Sequence, residues 1–522
     1  MSIVTLDGES LELKDIVNVA RKNYKVEISK NAYERIIKSR KIVEEYVNTD
    51  RVAYGITTGF GKFSDVAISK EDSKALQRNL IISHACGTGD NLSKEEVRAI
   101  MLLRINALSK GYSGISVETL NTLLELLNKG VHPRIPKKGS LGASGDLAPL
   151  SHMVLPMLGE GEAEFQGKFY EGREAMEKAG IKVIELTSKE GLALINGTQV
   201  MTAIGALNLY DSIELMKTAD VAAALTIEAL RGIKNAFDER IHVIRPHKGQ
   251  LATAKNILTL TKGSTFITSQ GELRVQDAYS LRCVPQVHGA SKDAINYVRE
   301  RVEIEINSAT DNPIITEEGD IISGGNFHGQ PMALSFDFLA IAVAELASIS
   351  ERRLERLINY QLNDLPPFLV KHGGLNSGFM ITQYAAASLV SENKILCHPA
   401  CVDSIPSSAN QEDHVSMGTI AAVKSSEVIK NVRRVIATEI MAACQAIDFR
   451  DGLYLGIGTK EAYKVVRENV DFLDKDVVMY KEIDKVEAII KNGEILKAVE
   501  EKIKILFWLE CFFNGKNSRM HP

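Results

Sequence analysis

From Ala333 to Leu362 the chain runs without a glycine or a proline, and within that run Leu339, Val343, Leu346 and Ile349 recur at three- and four-residue spacing. An apolar seam with that period belongs to a helix, and the run is long enough for one on the order of 45 Å. Comparable runs extend from Gln199 to Leu230 and from Thr419 to Phe449. Helices of such length bury their seams by lying alongside one another, which predicts a mainly α protein with a long-helix bundle at its core. The first two hundred or so residues differ, with more Gly and Pro and shorter elements. After Gly452, a turn at Leu455-Gly456-Ile457-Gly458 leads into charged helices between Lys460 and Lys504. The expected division is therefore 1–198, 199–452 and 453–522.

The chain has 522 residues, beyond the size at which one hydrophobic core keeps growing, so two or three domains or one elongated domain are expected. Hydrophobic residues make up 45% and charged residues 25%, with a net charge of -5. This is the composition of a folded globular protein, and the mild acidity argues against nucleic acid as a partner. The start, MSIVTLDGESLELKDIV, lacks the basic and apolar regions of a secretory signal. No apolar stretch of roughly 18 residues stands out as a membrane span, and the cytoplasm is the expected compartment. Cys86, Cys283, Cys397, Cys401, Cys444 and Cys511 are scattered without a framework spacing and read as reduced thiols. Cys397-His398-Pro399-Ala400-Cys401 has no second cluster at zinc-ligand spacing, so no metal is expected. Arg352-Arg353 reads as a solvated face or an ion pair. The segment from Leu506 to Phe513 holds the only Trp, and it reads either as an exposed apolar patch for contact with another subunit or as a tail with no role.

Chemistry is concentrated in Gly142-Ala143-Ser144-Gly145-Asp146. A peptide nitrogen can attack the carbonyl two residues back only where neighbouring side chains are small and the backbone can leave ordinary φ/ψ space, demands that Ala143 and Gly145 meet. Ser144 adds a β-hydroxyl that can leave as water. The product is a 4-methylidene-imidazol-5-one (MIO) ring with an electron-poor exocyclic methylene, an electrophile that no standard side chain provides. The same composition also describes an ordinary turn before a helix, so the flanks decide between the two.

The run Gly139 to Gly161, GSLGASGDLAPLSHMVLPMLGEG, is similar to the cofactor segment of the aromatic amino acid ammonia-lyases. Tyr54-Gly55-Ile56-Thr57-Thr58-Gly59-Phe60-Gly61, Asn196-Gly197-Thr198-Gln199, Gln276 to Cys283, and Gly324-Gly325-Asn326-Phe327-His328 resemble the same family in the same order. Ser408 to Met417 and the Ser83-His84 pair resemble its histidine-specific branch. The resemblance implies a fumarase/aspartase-like fold in which a smaller N-terminal part carries the MIO segment and a lid loop. It implies an MIO group formed from Ala143, Ser144 and Gly145 with no external cofactor. It also implies a homotetramer whose sites draw on more than one subunit, and the conversion of L-histidine to trans-urocanate and ammonia.

Roles follow residue by residue from the resemblance. Tyr54 matches the family's base, and its loop can close over the substrate. Tyr279 joins it among the catalytic residues. Arg282 matches the carboxylate clamp, a task suited to a planar guanidinium fork, with Gln276 beside it. The Asn196 amide is expected to hold the electrophile or the substrate amine, and Phe327 to pack over the site. His84 and Glu412 are expected to read the imidazole, since a carboxylate accepts a hydrogen bond from a ring N-H. The alternatives are a tyrosine or phenylalanine ammonia-lyase, a 2,3-aminomutase with the same cofactor, and a non-catalytic helical scaffold. Whether the substrate amine or its ring adds to the electrophile is left open.

Overall fold

The computed structural model describes residues 2–49, 51–59, 61–63 and 68–508. The fold is mainly α, and the runs recognised by their periodicity become the helices Gln199–Ala229, Gln330–Ile358 and Gly418–Ile447. A further long helix, Val284–Glu305, was not singled out by its apolar spacing. Along Gln330–Ile358, Leu339, Val343, Leu346 and Ile349 are buried, while Phe338 and Ile341 are 41% and 42% exposed. The seam is therefore one-sided, as a helix period of 3.6 requires.

The chain forms two compact units. One comprises the chain up to Tyr210 with Val298–Asp337 and Pro399–Ser426; the other comprises Asp211–Tyr297, Phe338–His398 and the chain from Glu427 onward. These units cut across the linear division at 198 and 452, because each of the four long helices contributes one end to each unit.

In the first unit, the helix Lys94–Ser109 is buried at every position from Val97 to Ser109. A reciprocal cap starts it: the Ser93 hydroxyl accepts the Glu96 N-H, and the Glu96 carboxylate accepts the Ser93 N-H at 2.6 Å. A helix surrounded by protein must satisfy its own polar side chains. Arg98 does so by donating to the carbonyls of Val19 and Leu127 at 3.0 and 3.1 Å. Short strands edge this unit: Ile3–Leu6 pairs in parallel with Lys25–Ile28, and Val131–Pro133, Glu162–Phe165 and Lys168–Glu171 form an antiparallel sheet.

The second unit is built around a buried cluster of charges. Asp220 accepts from Lys292 Nζ at 2.6 Å, from His288 Nδ1 at 2.8 Å and from Asn256 at 2.7 Å. Arg353 donates to both carboxylate oxygens of Glu439, which also accept from Thr226 and Ser350. Arg353 Nη1 lies 3.4 Å from His288 Nε2. Because a guanidinium can only donate, His288 Nε2 accepts, and its single proton sits on Nδ1, facing Asp220. Burial pushes the His288 imidazole below its usual value against the pull of Asp220, and Arg353 and Lys292 add to that push. With His288 neutral, Asp220 and Glu439 balance Lys292 and Arg353, so the cluster carries no net charge.

Two sequence expectations are corrected here. Gln330–Ile358 does contain an 18-residue window apolar enough to cross a membrane, with mean hydropathy 1.8. However, 67% of that window is buried inside the protein, as in the core helix of a globular protein. Of the apolar tail, the described residues Leu506 to Trp508 are half-buried rather than exposed and are hydrogen-bonded within their own unit. Leu506 exchanges backbone hydrogen bonds with the Asn256 side chain at 2.9 and 2.7 Å, and Trp508 Nε1 donates to Asp293 at 2.8 Å. Lys248 Nζ sits 4.2 Å from the centre of the Trp508 ring. The rest of the tail, from Leu509 on, lies outside the described residues.

Removing one member of such a cluster leaves its partner charged and unpaired in the interior. Asp220→Asn is expected to lower stability by about 3–5 kcal/mol, read as a shift of the urea unfolding midpoint. A loss under about 1 kcal/mol would show that Lys292 does not depend on this carboxylate.

Candidate active site

The segment around Ser144 is a tight loop of the first unit whose ends are set by left-handed glycines, Gly142 at φ +78° and Gly145 at φ +76°. Neither can carry a side chain. A Cβ on Gly142 would fall 2.2 Å from Ser416 Oγ, and one on Gly145 would fall 2.1 Å from the Gly197 carbonyl oxygen. The loop is therefore pressed against two other segments, and Asp146 holds it there. The Asp146 N-H donates to the Gly197 carbonyl at 2.8 Å. Its carboxylate accepts the N-H groups of Val200 and Met201, each at 2.9 Å, in the first turn of Gln199–Ala229. Those are donors that a helix start leaves without intrahelical partners. The other oxygen accepts from Ser140 and Thr419. Complete burial pushes the Asp146 carboxyl up to about 6, and these donors hold it from rising further.

Asn196 lies against the loop and donates from Nδ2 to the Ser144 carbonyl at 2.9 Å. Its Oδ1 is buried and has no hydrogen-bond partner among the described residues. Behind it stands Arg104, 1% exposed, in the core helix Lys94–Ser109. Arg104 donates to the Asn196 carbonyl at 2.9 Å, to Gln199 Oε1 at 2.6 Å and to the Ala193 carbonyl. Burial lowers its guanidinium to about 10, with Asp311 opposing the shift, so it stays cationic at neutral pH. Its position was not anticipated from the sequence, although an arginine within the apolar run Met101-Leu102-Leu103-Arg104-Ile105 is a signal that a buried partner exists.

The opposite wall comes from the turn before Gly418–Ile447. Ser408, Ala409 and Asn410 take left-handed φ values of 52°, 52° and 64°, a strained run for residues with side chains. The turn brings Ser407 and Glu412 face to face through backbone hydrogen bonds of 2.9 and 3.3 Å. Glu412 Oε2 accepts from Ser407 Oγ at 2.9 Å, and Oε1 accepts from Ser144 Oγ at 2.9 Å. His84 closes the helix Lys70–His84, with Nδ1 3.1 Å from Ser83 Oγ. Burial pushes its imidazole below the usual value, while the Glu412 charge pulls the other way. Tyr54 lies on the loop before Gly61, and its hydroxyl oxygen accepts the Gly61 N-H at 3.1 Å.

These groups surround a cavity of about 850 Å³ lined by Tyr54, His84, Ser144, Asn196, Phe327 and Glu412 among others. Ala143 and Gly145 flank Ser144 in the same loop. Asn312 also lines the cavity, and it ties down the segment before Phe327 by accepting the Gly324 N-H at 2.6 Å. It too was missed, because nothing local to an Asn-Pro pair announces a contact 12 residues away. Gln276, Tyr279 and Arg282 do not line this cavity. They belong to the second unit, where Gln276 borders a separate cavity of about 390 Å³. Tyr279 is 70% exposed there, and the Arg282 guanidinium lies 4.5 Å from the centre of its ring.

The arrangement can hold a small polar molecule against Ser144, with an acceptor on Asn196, a hydroxyl on Tyr54, and beside them the Glu412 carboxylate, which here accepts from Ser144. The model of the family described as aromatic amino acid lyase matches residues 11–468. The chain is 68% identical over 506 residues to a histidine ammonia-lyase from Clostridium tetani, covering 96% of this chain and 98% of that protein. The crystal structure of histidine ammonia-lyase from Trypanosoma cruzi superposes with a TM-score of 0.91 at 41% identity, covering 99% of this chain and 100% of that one. Tyrosine aminomutase from Streptomyces globisporus superposes with a TM-score of 0.93 at 38% identity, covering 96% and 100%. With the family's pattern running through most of its length and its near-complete relatives agreeing in sequence and shape, the chain belongs to the aromatic amino acid lyase family.

Proposed function

We propose that the chain is a histidine ammonia-lyase that converts L-histidine to trans-urocanate and ammonia, using an MIO group formed from Ala143, Ser144 and Gly145. The observation that carries this reading is the cavity wall shared by Glu412, His84 and Ser144. A carboxylate and an imidazole there suit a polar ring, whereas an apolar ring would offer a hydrogen bond to neither. The 68% identity to a histidine ammonia-lyase supports the same substrate.

The residues fit the implied group. Gly142 and Gly145 bound the loop in a conformation that side chains would block. Asn196 grips the Ser144 carbonyl while its buried Oδ1 has no partner among the described residues, leaving an acceptor for a substrate ammonium. Once formed, the group supplies an electron-poor carbon that helps the amine depart. The protein supplies the rest. Glu412 and His84 orient the ring, Phe327 packs beside it, and Tyr54 takes the β-proton. Arg282 holds the carboxylate with Gln276 beside it, and Tyr279 acts with Tyr54. Because these last three lie in the second unit with Tyr279 largely exposed, we assign them to the site of a neighbouring copy, in a homotetramer. Cys86, Cys283, Cys401 and Cys444 are thiols, in keeping with a cytoplasmic location.

Incubation of purified protein with L-histidine, following urocanate absorbance, tests the activity, with L-tyrosine and L-phenylalanine in parallel. Intact-mass measurement tests the group. Cyclisation and dehydration each remove one water, so the mature chain is expected two waters lighter than its sequence and to absorb in the near ultraviolet. Ser144→Ala should lose one water at most and nearly all activity. Active protein of unmodified mass would end the electrophile reading.

Arg282→Lys keeps the charge and loses the fork, so kcat/KM should fall by an amount equivalent to about 1.5–3 kcal/mol. Tyr54→Phe should suppress turnover with the near-ultraviolet absorbance intact. Near-normal turnover in that variant would move the search for the base to Tyr279 and Glu412.

Substrate choice gives a separate measurement. A site that hydrogen-bonds a ring can reject the analogue lacking those groups by about 10⁴-fold, so the wild type should strongly prefer histidine to phenylalanine in kcat/KM. His84→Phe should erode that preference. Equal use of both substrates by the wild type would remove the histidine assignment and leave the ammonia-lyase reading standing.

A further inference from the structure

Both oxygens of Glu412 are occupied in the unprocessed chain. Oε2 is fixed by Ser407 Oγ, and Oε1 accepts from Ser144 Oγ, each at 2.9 Å. Ser144 Oγ is the atom that must depart if the ring is to become conjugated. As the carboxylate stands, its cavity-side oxygen is not available to a substrate ring.

Among the described residues, no other acid-base group nearby is hydrogen-bonded to Ser144 Oγ. Asp146 is next but one in sequence, yet its two oxygens already accept four hydrogen bonds, from Val200, Met201, Ser140 and Thr419. A carboxylate so saturated has little capacity left for another proton donor. Tyr54 is turned to the Gly61 N-H and His84 to Ser83. Glu412 is the carboxylate that touches the leaving oxygen.

We propose that Glu412 carries the proton that dehydrates Ser144, and that this reaction itself releases Oε1 to read the substrate. The proposal rests on the ring formation proposed above. After ring closure, the carboxylate takes the proton from Ser144 Cα as the Cα=Cβ bond forms. It returns that proton to Oγ as the Cβ–Oγ bond breaks. The oxygen leaves as one water with its own hydrogen and the transferred one, and Glu412 ends as the carboxylate it began. Ser407 keeps the carboxylate aimed throughout by holding Oε2. Glu412 thus serves in sequence as a maturation group and as a substrate acceptor, and the two roles cannot overlap because they use the same oxygen.

The test is the mass of the full chain sampled at intervals after cell-free synthesis, with near-ultraviolet absorbance beside it. Wild type is expected to reach a loss of two waters. Glu412→Gln keeps the shape but cannot carry the proton. It should stop at a loss of one water, or lose the second at least 100-fold more slowly, without the absorbance of the conjugated ring. Complete two-water loss in Glu412→Gln at the wild-type rate overturns the proposal. Circular dichroism checks folding. If that variant does not fold, Glu412→Asp decides: its shorter carboxylate should lose the second water several-fold more slowly than wild type, and an unchanged rate overturns the proposal. A wild type of unmodified mass would instead overturn the parent reading of ring formation, and this one with it.

Discussion

The placement of one carboxylate, that of Asp146, governs the geometry of the first unit's cavity. Its side chain takes up two of the donors that open the Gln199–Ala229 helix and reaches Thr419 near the start of Gly418–Ile447. Three segments far apart in sequence are thereby gathered at one buried point. Burial opposes the charge strongly enough to bring the carboxyl up to about 6, so the ionised form depends on those donors being present and aligned. The demand for glycine follows from this. A loop drawn down so tightly meets Ser416 at one end and the Gly197 carbonyl at the other, and no side chain fits between.

A second layer lies behind the first. Arg104 is hydrogen-bonded to the cavity wall through the Asn196 carbonyl, and it also fixes the Ala193 carbonyl and the side chain of Gln199. Placing a guanidinium in a core helix is costly in desolvation, and here it is answered mainly by backbone carbonyls and an amide. Other buried cations are matched by full opposite charges: Lys189 by Asp311 at 2.9 Å in the first unit, and Lys292 and Arg353 by Asp220 and Glu439 in the second.

The long helices were legible because their apolar seams are local patterns, written in spacings of three and four residues along one segment. The loop at Ser144 was legible because its small residues are contiguous. His84, Asn196, Phe327 and Glu412 could be named from motifs, and they line one cavity with Tyr54. What escaped was relational. Arg104 acts on residues about 90 positions away, and Asp220 is held by Asn256, His288 and Lys292. No periodicity links such positions, since only the folded chain brings them together. The placement of the described start of the apolar tail, Leu506 to Trp508, escaped for the same reason: its partners, Asn256 and Asp293, lie about 250 and 215 residues upstream. The linear division at 198 and 452 shows the opposite limit, because a boundary drawn between helices cannot register helices that belong to both units.

The hydrogen bonds at Leu506 have a consequence for how the protein is made. Asn256 binds Asp220 and the Leu506 carbonyl with the same side chain, and Lys292 lies 3.4 Å from that carbonyl as well as against Asp220. The contacts of the charge cluster are therefore completed by the Leu506 carbonyl. Synthesis runs from the N-terminus, so Lys292 is made 214 residues before that carbonyl, and Asp220 and Asn256 earlier still. A chain cut before Leu506 would lose the closure of this interior together with its end.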